Sequence, residues 1–239
     1  MQRVEVFIKG QHILYDAAAV TNIEPGWFEP HYWRERNALN GEATGRGTSY
    51  FFGAGGMQYV LRHYRRGGLM ARVLSDRYLR GIALSNTRAW REWDILARLW
   101  QEGLPVPRPV AARVIFDGLF YRADIITARL PAQTTLAQIL RTRALTKAEW
   151  EATGRLIRLF HEAGVYHADM NAHNILYSAD RMYLIDFDNS CICRNKFIWP
   201  QRTLSRLHRS LCKLACQDKG LHFTEADWKI FLLAYRAGL

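Results

Sequence analysis

The sequence predicts an α+β fold with two lobes: an antiparallel sheet with one helix in the first, and a short, mainly helical second. Before residue 130, short runs of β-branched and aromatic residues alternate with Gly, Pro and Asp-Gly turn signals, which is typical of strands and hairpins. After residue 131, apolar residues recur mostly every three to four positions, which is typical of helices. We therefore expect a first lobe over residues 1–130 and a second over residues 131–239.

Composition narrows the class of protein. A chain of 239 residues with 49% hydrophobic content can bury a sizeable core. Its net charge of +11 predicts an anionic partner, which could be nucleic acid, a phosphorylated small molecule or an acidic membrane surface. The first residues lack the apolar core of a secretory signal, and no stretch reaches the roughly 20 apolar residues that span a bilayer. These features predict a cytoplasmic protein.

The first 40 residues predict two short strands, at residues 2–8 and 12–15, followed by an aromatic segment broken by prolines. That segment carries four large aromatic side chains, Trp27, Phe28, Tyr32 and Trp33. Side chains of this kind more often cover a core than bind a ligand. We expect them to do so here and infer no functional role for residues 1–40.

Two further strands, at residues 48–52 and 57–64, flank a glycine-rich turn and predict a hairpin. Gly45 and Gly47 precede this hairpin. Because a glycine pair lets the backbone approach the phosphates of a nucleotide closely, both are candidate nucleotide-binding residues. The third glycine of a G-x-G-x-x-G pattern would fall at Tyr50, so the pattern also fits a purely structural turn.

Arg62, on the second strand of this hairpin, is the candidate cation for the nucleotide phosphates. Residues 87–102 predict an amphipathic helix. Its apolar stripe consists of Ala89, Trp93, Leu96 and Trp100. Glu92 borders the stripe and should point toward the body of the domain, where a carboxylate needs a cation. We expect Arg62 to be that cation; the alternatives are a surface arginine and a glutamate bonded to solvent.

Two groups of basic residues stand out. The first surrounds Gly67 and Gly68 and consists of Arg65, Arg66, Arg72, Arg77 and Arg80. The second shares a helix with a leucine face and consists of Arg202, Arg206, Arg209 and Lys213. We expect both groups to meet an anionic acceptor or membrane, although runs of basic residues are often only solvated surfaces.

The rest of the chain follows from local signals. The proline-rich residues 104–109 predict a spacer, and Asp117-Gly118 predicts a hairpin between its flanking strands. Thr146 and Glu149 form a capping box that opens a helix to residue 162. Two more helices are predicted near the C-terminus, the last over residues 224–237.

Four cysteines, Cys191, Cys193, Cys212 and Cys216, lie near the C-terminal end. Their spacings differ from the usual zinc patterns, so we expect reduced thiols. A zinc site remains the alternative, since four cysteines can converge in space.

The most specific pattern in the chain lies at residues 165–190. Two short apolar runs around residues 178–181 predict a β-hairpin, with Asp169 and Asn174 entering it and Asp186 leaving it. The spacing is H-x-D-x-x-x-x-N followed by D-F-x, which is the signature of protein-kinase-like phosphotransferases. Asp169 would orient and deprotonate a hydroxyl acceptor, and Asn174 and Asp186 would bind Mg²⁺ with ATP. Each residue alone could instead be an ordinary turn former.

This signature predicts a protein-kinase-like bilobal fold with three departures from the protein-kinase pattern. Asp188 replaces the glycine of D-F-G, Asn171 replaces the lysine of H-R-D-L-K, and Arg62 replaces the strand lysine. Because Asn171 stands where protein kinases have a lysine, the γ-phosphate has one cation fewer near Asp169, which disfavours protein substrates. We assign no role to Asp188 or to His173.

Several stretches together resemble the 3-deoxy-D-manno-octulosonic acid (Kdo) kinases of Gram-negative bacteria and the related lipopolysaccharide core heptose kinases. They are G-R-G-T-S-Y-F-F, Y-V-L-R-H-Y-R-R-G-G-L, T-R-A-W-R-E-W-D-I-L, L-P-V-P-R-P-V-A-A-R-V, H-A-D-M-N-A-H-N-I-L-Y, L-I-D-F-D-N-S and R-L-H-R-S-L-C-K. The resemblance implies transfer of the ATP γ-phosphate to a Kdo hydroxyl on a lipid A precursor, at the cytoplasmic face of the inner membrane. It also implies Asp169 as the base, Asn174 and Asp186 as Mg²⁺ ligands, and Arg62 with Glu92 as the phosphate-binding pair.

Two other functions remain open at this point. One is a kinase of the same fold that acts on a core heptose, an aminoglycoside or a protein. The other is a basic protein with an inactive kinase fold that binds nucleic acid or a membrane. The complete set of Asp169, Asn174 and Asp186 argues against an inactive protein, and we expect no nucleic-acid partner.

Overall fold

The computed structural model describes residues 1–44, 48–64, 78–79, 83–118, 120–131, 134–179, 181–193 and 199–237. The chain divides into two compact units, the first Met1–Gln101 with Pro107–Leu130 and the second Glu102–Val106 with Pro131–Leu239. Some predicted functional residues lie outside the described residues, namely Gly45, Gly47, Arg65, Arg66, Arg72, Arg77 and Arg80.

The segment Glu102–Val106 is where the predicted lobes and the observed units differ. The sequence predicts this segment in the first lobe, whereas the structure groups it with the second unit. The backbone N–H of Leu184 donates a hydrogen bond of 3.0 Å to the carbonyl of Pro105, and Leu104 and Val106 are buried. This hydrogen bond and the burial of these two side chains attach Glu102–Val106 to the second unit.

The first unit is built on one antiparallel sheet. Its strands are β1 (Arg3–Ile8), β2 (Gln11–Asp16), β3 (Leu39–Thr44), β4 (Thr48–Ala54), β5 (Met57–His63), β6 (Tyr78–Leu79), β7 (Pro109–Asp117) and β8 (Phe120–Ala128). They are arranged in the order β1-β2-β7-β8-β5-β4-β3, with β6 paired to β8. The two predicted hairpins, β4-β5 and β7-β8, are therefore confirmed, and the two strands predicted before residue 16 pair as β1-β2.

One face of this sheet carries the aromatic core. Trp33 stacks on Phe52 with ring centroids 4.2 Å apart, and Trp27 meets both rings edge to face. Phe28 is fully buried in the same cluster. The prediction that the aromatic segment covers the core is confirmed.

The first unit has more helix than predicted. Besides α2 (Arg88–Gln101), it contains 3₁₀ turns at Pro25–Phe28 and Leu84–Asn86 and a short helix α1 (Pro30–Glu35). The prediction of one helix in this lobe is therefore wrong. Pro30 stands at the first position of α1, where its fixed φ favours a helix. The indole N–H of Trp33 also donates to the carbonyl of Trp27 at 2.9 Å, which holds α1 against the preceding turn.

The buried side of α2 differs from the predicted stripe at one residue. Ala89, Trp93 and Leu96 are buried, but Trp100 is 37% exposed and the Arg108 guanidinium lies over its ring. Further buried side chains of this helix, Trp90, Ala97 and Leu99, widen the apolar side. The buried face is therefore broader than a single line of residues and turns away from Trp100.

The second unit is mainly helical. Its helices are α3 (Leu136–Thr142), α4 (Lys147–Glu162), α5 (Trp199–Gln217) and α6 (Glu225–Arg236). Its short strands are β9 (Thr134–Thr135), β10 (Val165–Tyr166), β11 (Ile175–Tyr177), β12 (Met182–Leu184) and β13 (Cys191–Ile192). They form a three-stranded sheet in the order β12-β11-β9 and the pair β10-β13.

Three helices of this unit begin at capping boxes. The predicted box at Thr146 and Glu149 opens α4 and is confirmed, since each side chain bonds the backbone N–H of the other. The Arg143 guanidinium bonds the Glu149 carboxylate and lowers the pKa of that carboxyl to about 2. Equivalent boxes open α3 at Thr135 and α6 at Thr224. Helix α3 is short and was not predicted, although its T-x-x-Q signal is present.

Helices α4 and α6 pack closely at Gly154. A Cβ atom at this position would clash with the carbonyl oxygen of Phe231 and lie 3.1 Å from the backbone nitrogen of Tyr235. Phe231 is fully buried there. The absence of a side chain at Gly154 therefore allows the two backbones to approach each other.

The cysteines lie in two separate places in the sequence. The sulfur atoms of Cys191 and Cys193 are 3.1 Å apart, well beyond the roughly 2.0 Å of a disulfide bond. Cys212 of α5 lies 3.6 Å from Nε2 of His208, and that nitrogen is 2.9 Å from the carboxylate of Glu225. These distances agree with the predicted reduced thiols.

Among the described residues, no helix is both long and apolar enough to cross a bilayer.

Candidate active site

The predicted hairpin of the second unit positions the signature residues. Ile175 of β11 pairs with Leu184 of β12, and the backbone N–H of Ile185 donates to the carbonyl of Asn174 at 3.1 Å. Asn174 directly precedes β11 and Asp186 directly follows Ile185, so the two residues lie at the same end of the hairpin. At the other end, the N–H of Ser178 donates to the carbonyl of Arg181 at 2.9 Å and closes the predicted turn.

The loop that leads into β11 is folded around Asp169. The backbone carbonyl of Asp169 accepts hydrogen bonds of 2.9 Å from the side-chain amides of both Asn171 and Asn174. The side-chain oxygen of Asn171 in turn accepts from the N–H of His173 at 2.8 Å. Met170 and Ala172 are buried, whereas the Asp169 side chain is 34% exposed. The loop is held by its own bonds and by two buried side chains, and the carboxylate stays accessible.

His167 links this loop to the exit of β12. It is 1% exposed, and its Nε2–H donates to the carbonyl of Ile185 at 3.0 Å. Burial lowers the pKa of His167, while the bond to Ile185 and the negative charges of Asp186 and Asp169 act in the opposite direction. The sequence places this histidine in the signature but does not reveal this bridging role.

Asp186 has an unusual backbone conformation. Its φ is +64°, in the left-handed region that non-glycine residues seldom occupy. The next residue, Phe187, is fully buried and packs its ring against those of His167 and Phe160. The aromatic anchor therefore holds the strained turn in place, and such strain is often found at functional positions.

The donor atoms of Asn174 and Asp186 suit Mg²⁺. The buried Asn174 amide donates through its nitrogen to the carbonyl of Asp169, so its oxygen is the end that can bind a cation. Asp186 supplies a carboxylate from the adjacent turn. Mg²⁺ binds a few hard oxygen ligands and keeps part of its water shell, which matches one amide and one carboxylate.

The first unit contains the predicted pair of Arg62 and Glu92. The Arg62 guanidinium on β5 donates to the Glu92 carboxylate on α2, and Glu92 is only 2% exposed. The hydroxyl of Tyr64 donates to the second oxygen of Glu92 at 2.5 Å. The expectation of an arginine partner for this carboxylate is confirmed, and its two alternatives are wrong.

Sequence reasoning missed Tyr64, although a signal was present. Tyr64 directly follows β5, and because residues two apart in an extended segment point to the same face, it lies with Arg62 on the side that meets α2. The Arg62 guanidinium also lies 5.2 Å from the centroid of the Tyr64 ring. The tyrosine thus fixes both members of the pair.

Comparisons with known proteins agree with these features. Residues 30–235 match the family model described as Lipopolysaccharide kinase (Kdo/WaaP) family. The chain belongs to this family. A 3-deoxy-D-manno-octulosonic acid kinase of Actinobacillus succinogenes is 39% identical over 218 residues, covering 88% of this chain and 90% of that protein. One of Photobacterium profundum is 35% identical over 232 residues and covers 97% of each.

Solved structures support the predicted fold. A chain from a complex of WaaP with acyl carrier protein aligns with a TM-score of 0.58 and 20% identity, over 93% of this chain and 88% of that one. The Rio2 kinase of Chaetomium thermophilum, solved with ADP, Mg²⁺ and phosphoaspartate, aligns with a TM-score of 0.51 and 18% identity. That match covers 87% of this chain and 74% of the other. The protein-kinase-like α+β fold is therefore confirmed.

Proposed function

We propose that this chain is a Kdo kinase, which transfers the γ-phosphoryl group of ATP to a hydroxyl of a Kdo sugar on a lipid A precursor. One observation carries the proposal: Asp169, Asn174 and Asp186 are held together by one loop and one hairpin in a chain 39% identical to a protein named Kdo kinase. Phosphoryl transfer needs positioning and charge neutralisation more than covalent chemistry, and these three residues supply both.

Asp169 is the proposed catalytic base. Its carboxylate is accessible while its backbone is fixed by two amide bonds, so it can orient an acceptor hydroxyl without moving the loop. A carboxylate at hydrogen-bond distance takes the proton as the oxygen attacks phosphorus. Neutral His167 supports this arrangement by bonding the carbonyl of Ile185, which keeps the loop and the exit of β12 together.

Asn174 and Asp186 are the proposed Mg²⁺ ligands. When bound, the ion would neutralise charge on the ATP phosphates. Asn174 is held from both sides, by its amide bond to Asp169 and by the backbone bond from Ile185. Asp186 is aimed by its left-handed turn and the buried Phe187. Both ligands are therefore preorganised, which lowers the entropic cost of binding.

Arg62 is the proposed phosphate-binding cation of the first unit, with Glu92 holding it and Gly45 and Gly47 as part of the nucleotide-binding segment. A guanidinium bonded to a buried carboxylate has few alternative rotamers, so Glu92 fixes the direction of the Arg62 side chain. A guanidinium can make directional hydrogen bonds to phosphate oxygens where a lysine would offer a point charge.

We also propose that the protein works at the cytoplasmic face of the inner membrane as a peripheral protein. The chain carries a net charge of +11, and the basic side chains of α5 are all exposed, namely Arg202, Arg206, Arg209 and Lys213. Each basic residue near an anionic bilayer contributes on the order of 1 kcal/mol, which fades within a Debye length. Sedimentation with anionic liposomes should thus weaken as salt increases; binding that ignores salt would contradict this attachment.

An acceptor screen tests the function. Purified protein is incubated with labelled ATP and a detergent-dispersed Kdo-bearing lipid A precursor, a core heptose acceptor, an aminoglycoside or a general protein substrate. We expect Mg²⁺-dependent transfer to the Kdo acceptor at least tenfold faster than to the others. Faster transfer to a heptose would reassign the acceptor. Absence of transfer to every acceptor would favour an inactive kinase fold.

A further inference from the structure

The second unit has a cavity of about 400 Å³ beside its catalytic loop. It is lined by Tyr166, Gln201, Arg202, Ser205, Arg206 and Arg209. Five of these residues belong to α5 and one to β10. Tyr166 is half-buried and the five lining residues of α5 are exposed, so the cavity is open to the surface.

The lining has the chemistry of an anion site. Arg202, Arg206 and Arg209 are spaced four and three residues apart, which places them on one side of α5. Like charges at this spacing destabilise a helix, so α5 gains nothing by itself from grouping them. None of the six lining residues is acidic. The grouping therefore favours an anionic partner. Besides the membrane surface proposed above, an anion that binds between the guanidinium groups satisfies it.

The neutral residues of the cavity add a second requirement. Tyr166, Gln201 and Ser205 carry hydroxyl and amide groups that both donate and accept hydrogen bonds. Such groups match the hydroxyls of a sugar. Together with the guanidinium groups, they favour a ligand that carries an anionic group and several hydroxyls.

The cavity adjoins the proposed base through Arg206. One terminal nitrogen of Arg206 lies 3.9 Å from Oδ1 of Asp169, near the upper limit for an ion pair. Arg206 thus contacts the cavity and the carboxylate at once. A ligand bound to Arg206 in the cavity would therefore lie near Asp169.

We propose that this cavity is the acceptor subsite and that it holds the carboxylate of the acid sugar. The arginines bind the carboxylate, the neutral groups bind sugar hydroxyls, and the hydroxyl to be phosphorylated is thereby presented to Asp169. Arginine suits this role because its fork of donors matches the two oxygens of a carboxylate. The assignment rests on the proposed function in so far as the acceptor is Kdo, which is itself an acid.

Kinetics with variants of the lining provide the first test. Arg202→Ala and Arg209→Ala each remove one cavity cation without touching Asp169, and Lys229→Ala removes an exposed cation of α6 as the matched control. With a detergent-dispersed Kdo acceptor, we expect the acceptor KM to rise about tenfold in each cavity variant, because a charge-assisted bond is lost. The ATP KM should stay within about twofold, as should both constants of the control. An acceptor KM equal to that of the control would overturn the proposal.

Binding of the free sugar provides a second test that needs no turnover. Wild-type protein is titrated by NMR with Kdo and with its neutral methyl ester. We expect the acid to bind at least tenfold more tightly than the ester, and this difference to vanish in an Arg202→Ala, Arg209→Ala double variant. Equal binding of acid and ester to the wild-type protein would overturn the subsite even if turnover were normal.

A competition experiment separates the carboxylate from the phosphates of a lipid A precursor, which have similar chemistry. We expect the concentration of inorganic phosphate that displaces bound Kdo to be higher than the Kd of Kdo. Displacement by phosphate at a concentration tenfold below the Kd of Kdo would overturn the carboxylate assignment and show that the cavity binds phosphate. If the wild-type protein transfers no phosphate to Kdo but still prefers the acid over the ester, the proposed function fails while the acid-sugar site stands.

Discussion

The guanidinium of Arg62 is hydrogen-bonded to the carboxylate of Glu92, which is 2% exposed and accepts a second bond from Tyr64. A carboxylate so buried depends on its partners for its charge, because desolvation would otherwise favour its neutral form. The pair joins β5 to α2, so it also fixes where the strand cation points. Its integrity should therefore matter to nucleotide binding.

We predict that Arg62 and Glu92 act as a unit. Arg62→Ala and Glu92→Ala should each lower kcat/KM for ATP by at least tenfold, and the double variant should lose less than the two losses combined, with a coupling of about 1–3 kcal/mol. Tyr64→Phe removes only one bond to Glu92 and should have the smaller effect. A double-mutant cycle measures the coupling, and strict additivity would show that the two side chains act independently.

We predict that Asp169→Asn keeps the fold and ATP binding but loses turnover. Removing a general base typically costs about 10²–10⁴ in rate, whereas the bonds from Asn171 and Asn174 are made to the backbone carbonyl, which the substitution keeps. Single-turnover kinetics and ATP calorimetry separate the two effects. Glu151→Gln is the control for loss of a carboxylate and should behave like the wild type, because its carboxylate lies 3.8 Å from Lys147 and Arg155 of the same helix. Near-normal turnover in Asp169→Asn would remove this residue from the mechanism.

We predict that replacing Asp186 with glycine stabilises the fold but weakens metal binding. Asp186→Gly should stabilise the fold by about 1 kcal/mol, because glycine adopts the observed φ of +64° without a Cβ penalty. Both Asp186→Gly and Asp186→Asn should weaken ATP binding at least tenfold when Mg²⁺ is present and leave Mg²⁺-free binding unchanged. Calorimetry with and without Mg²⁺ checks this. If the Mg²⁺ dependence were the same as in the wild type, Asp186 would not be a ligand.

We predict that His167 makes stability depend on pH. Burial lowers its pKa below the ordinary value of 6.5, so below that pH the unfolded chain binds a proton that the folded chain does not. The stabilising contribution is complete above pH 6.5 and is lost as the pH falls toward the depressed pKa, by at most about 1.4 kcal/mol per pH unit. Urea unfolding across this range measures the slope. His167→Gln, which can still donate to Ile185, should have a smaller slope, and identical slopes would contradict the assignment.

We predict that Gly154→Ala destabilises the protein although alanine favours helices by about 1 kcal/mol. The added Cβ would clash with the carbonyl of Phe231, and backbone cannot move as easily as a flexible side chain. Overpacking of this kind typically costs about 1–3 kcal/mol, so the melting temperature should fall. A rise in melting temperature would mean that α4 and α6 can separate at no cost.

Local spacing accounts for the features that could be predicted. The hairpin β11-β12 and the capping box at Thr146 depend on residues a few positions apart, so their patterns are visible in the sequence. For the Arg62 and Glu92 pair, 30 positions apart, helical periodicity indicated which side of α2 carries Glu92, and the lysine-glutamate pair of kinases indicated Arg62 as its partner. In each case a short-range rule sets the direction of a side chain.

Features that depend on the assembled fold were not predictable. The bridge from His167 to Ile185 and the cavity between Tyr166 and α5 join segments whose distance follows from packing rather than spacing. The exposure of Trp100 follows from how α2 lies on the sheet, which its own sequence does not determine. Helix α1 is six residues long, too short for a periodic pattern to stand out from its aromatic surroundings.

The central claim is tested most directly by locating the transferred phosphate. The protein is incubated with Mg²⁺-ATP and a Kdo-bearing lipid A precursor, with Asp169→Asn in parallel, and the products are fragmented in a mass spectrometer. We predict that the wild-type protein adds one phosphate, that this phosphate stays with the Kdo fragment, and that the variant gives no such product in the same time. A phosphate on the lipid A fragment, or equal product from the variant, would contradict the account.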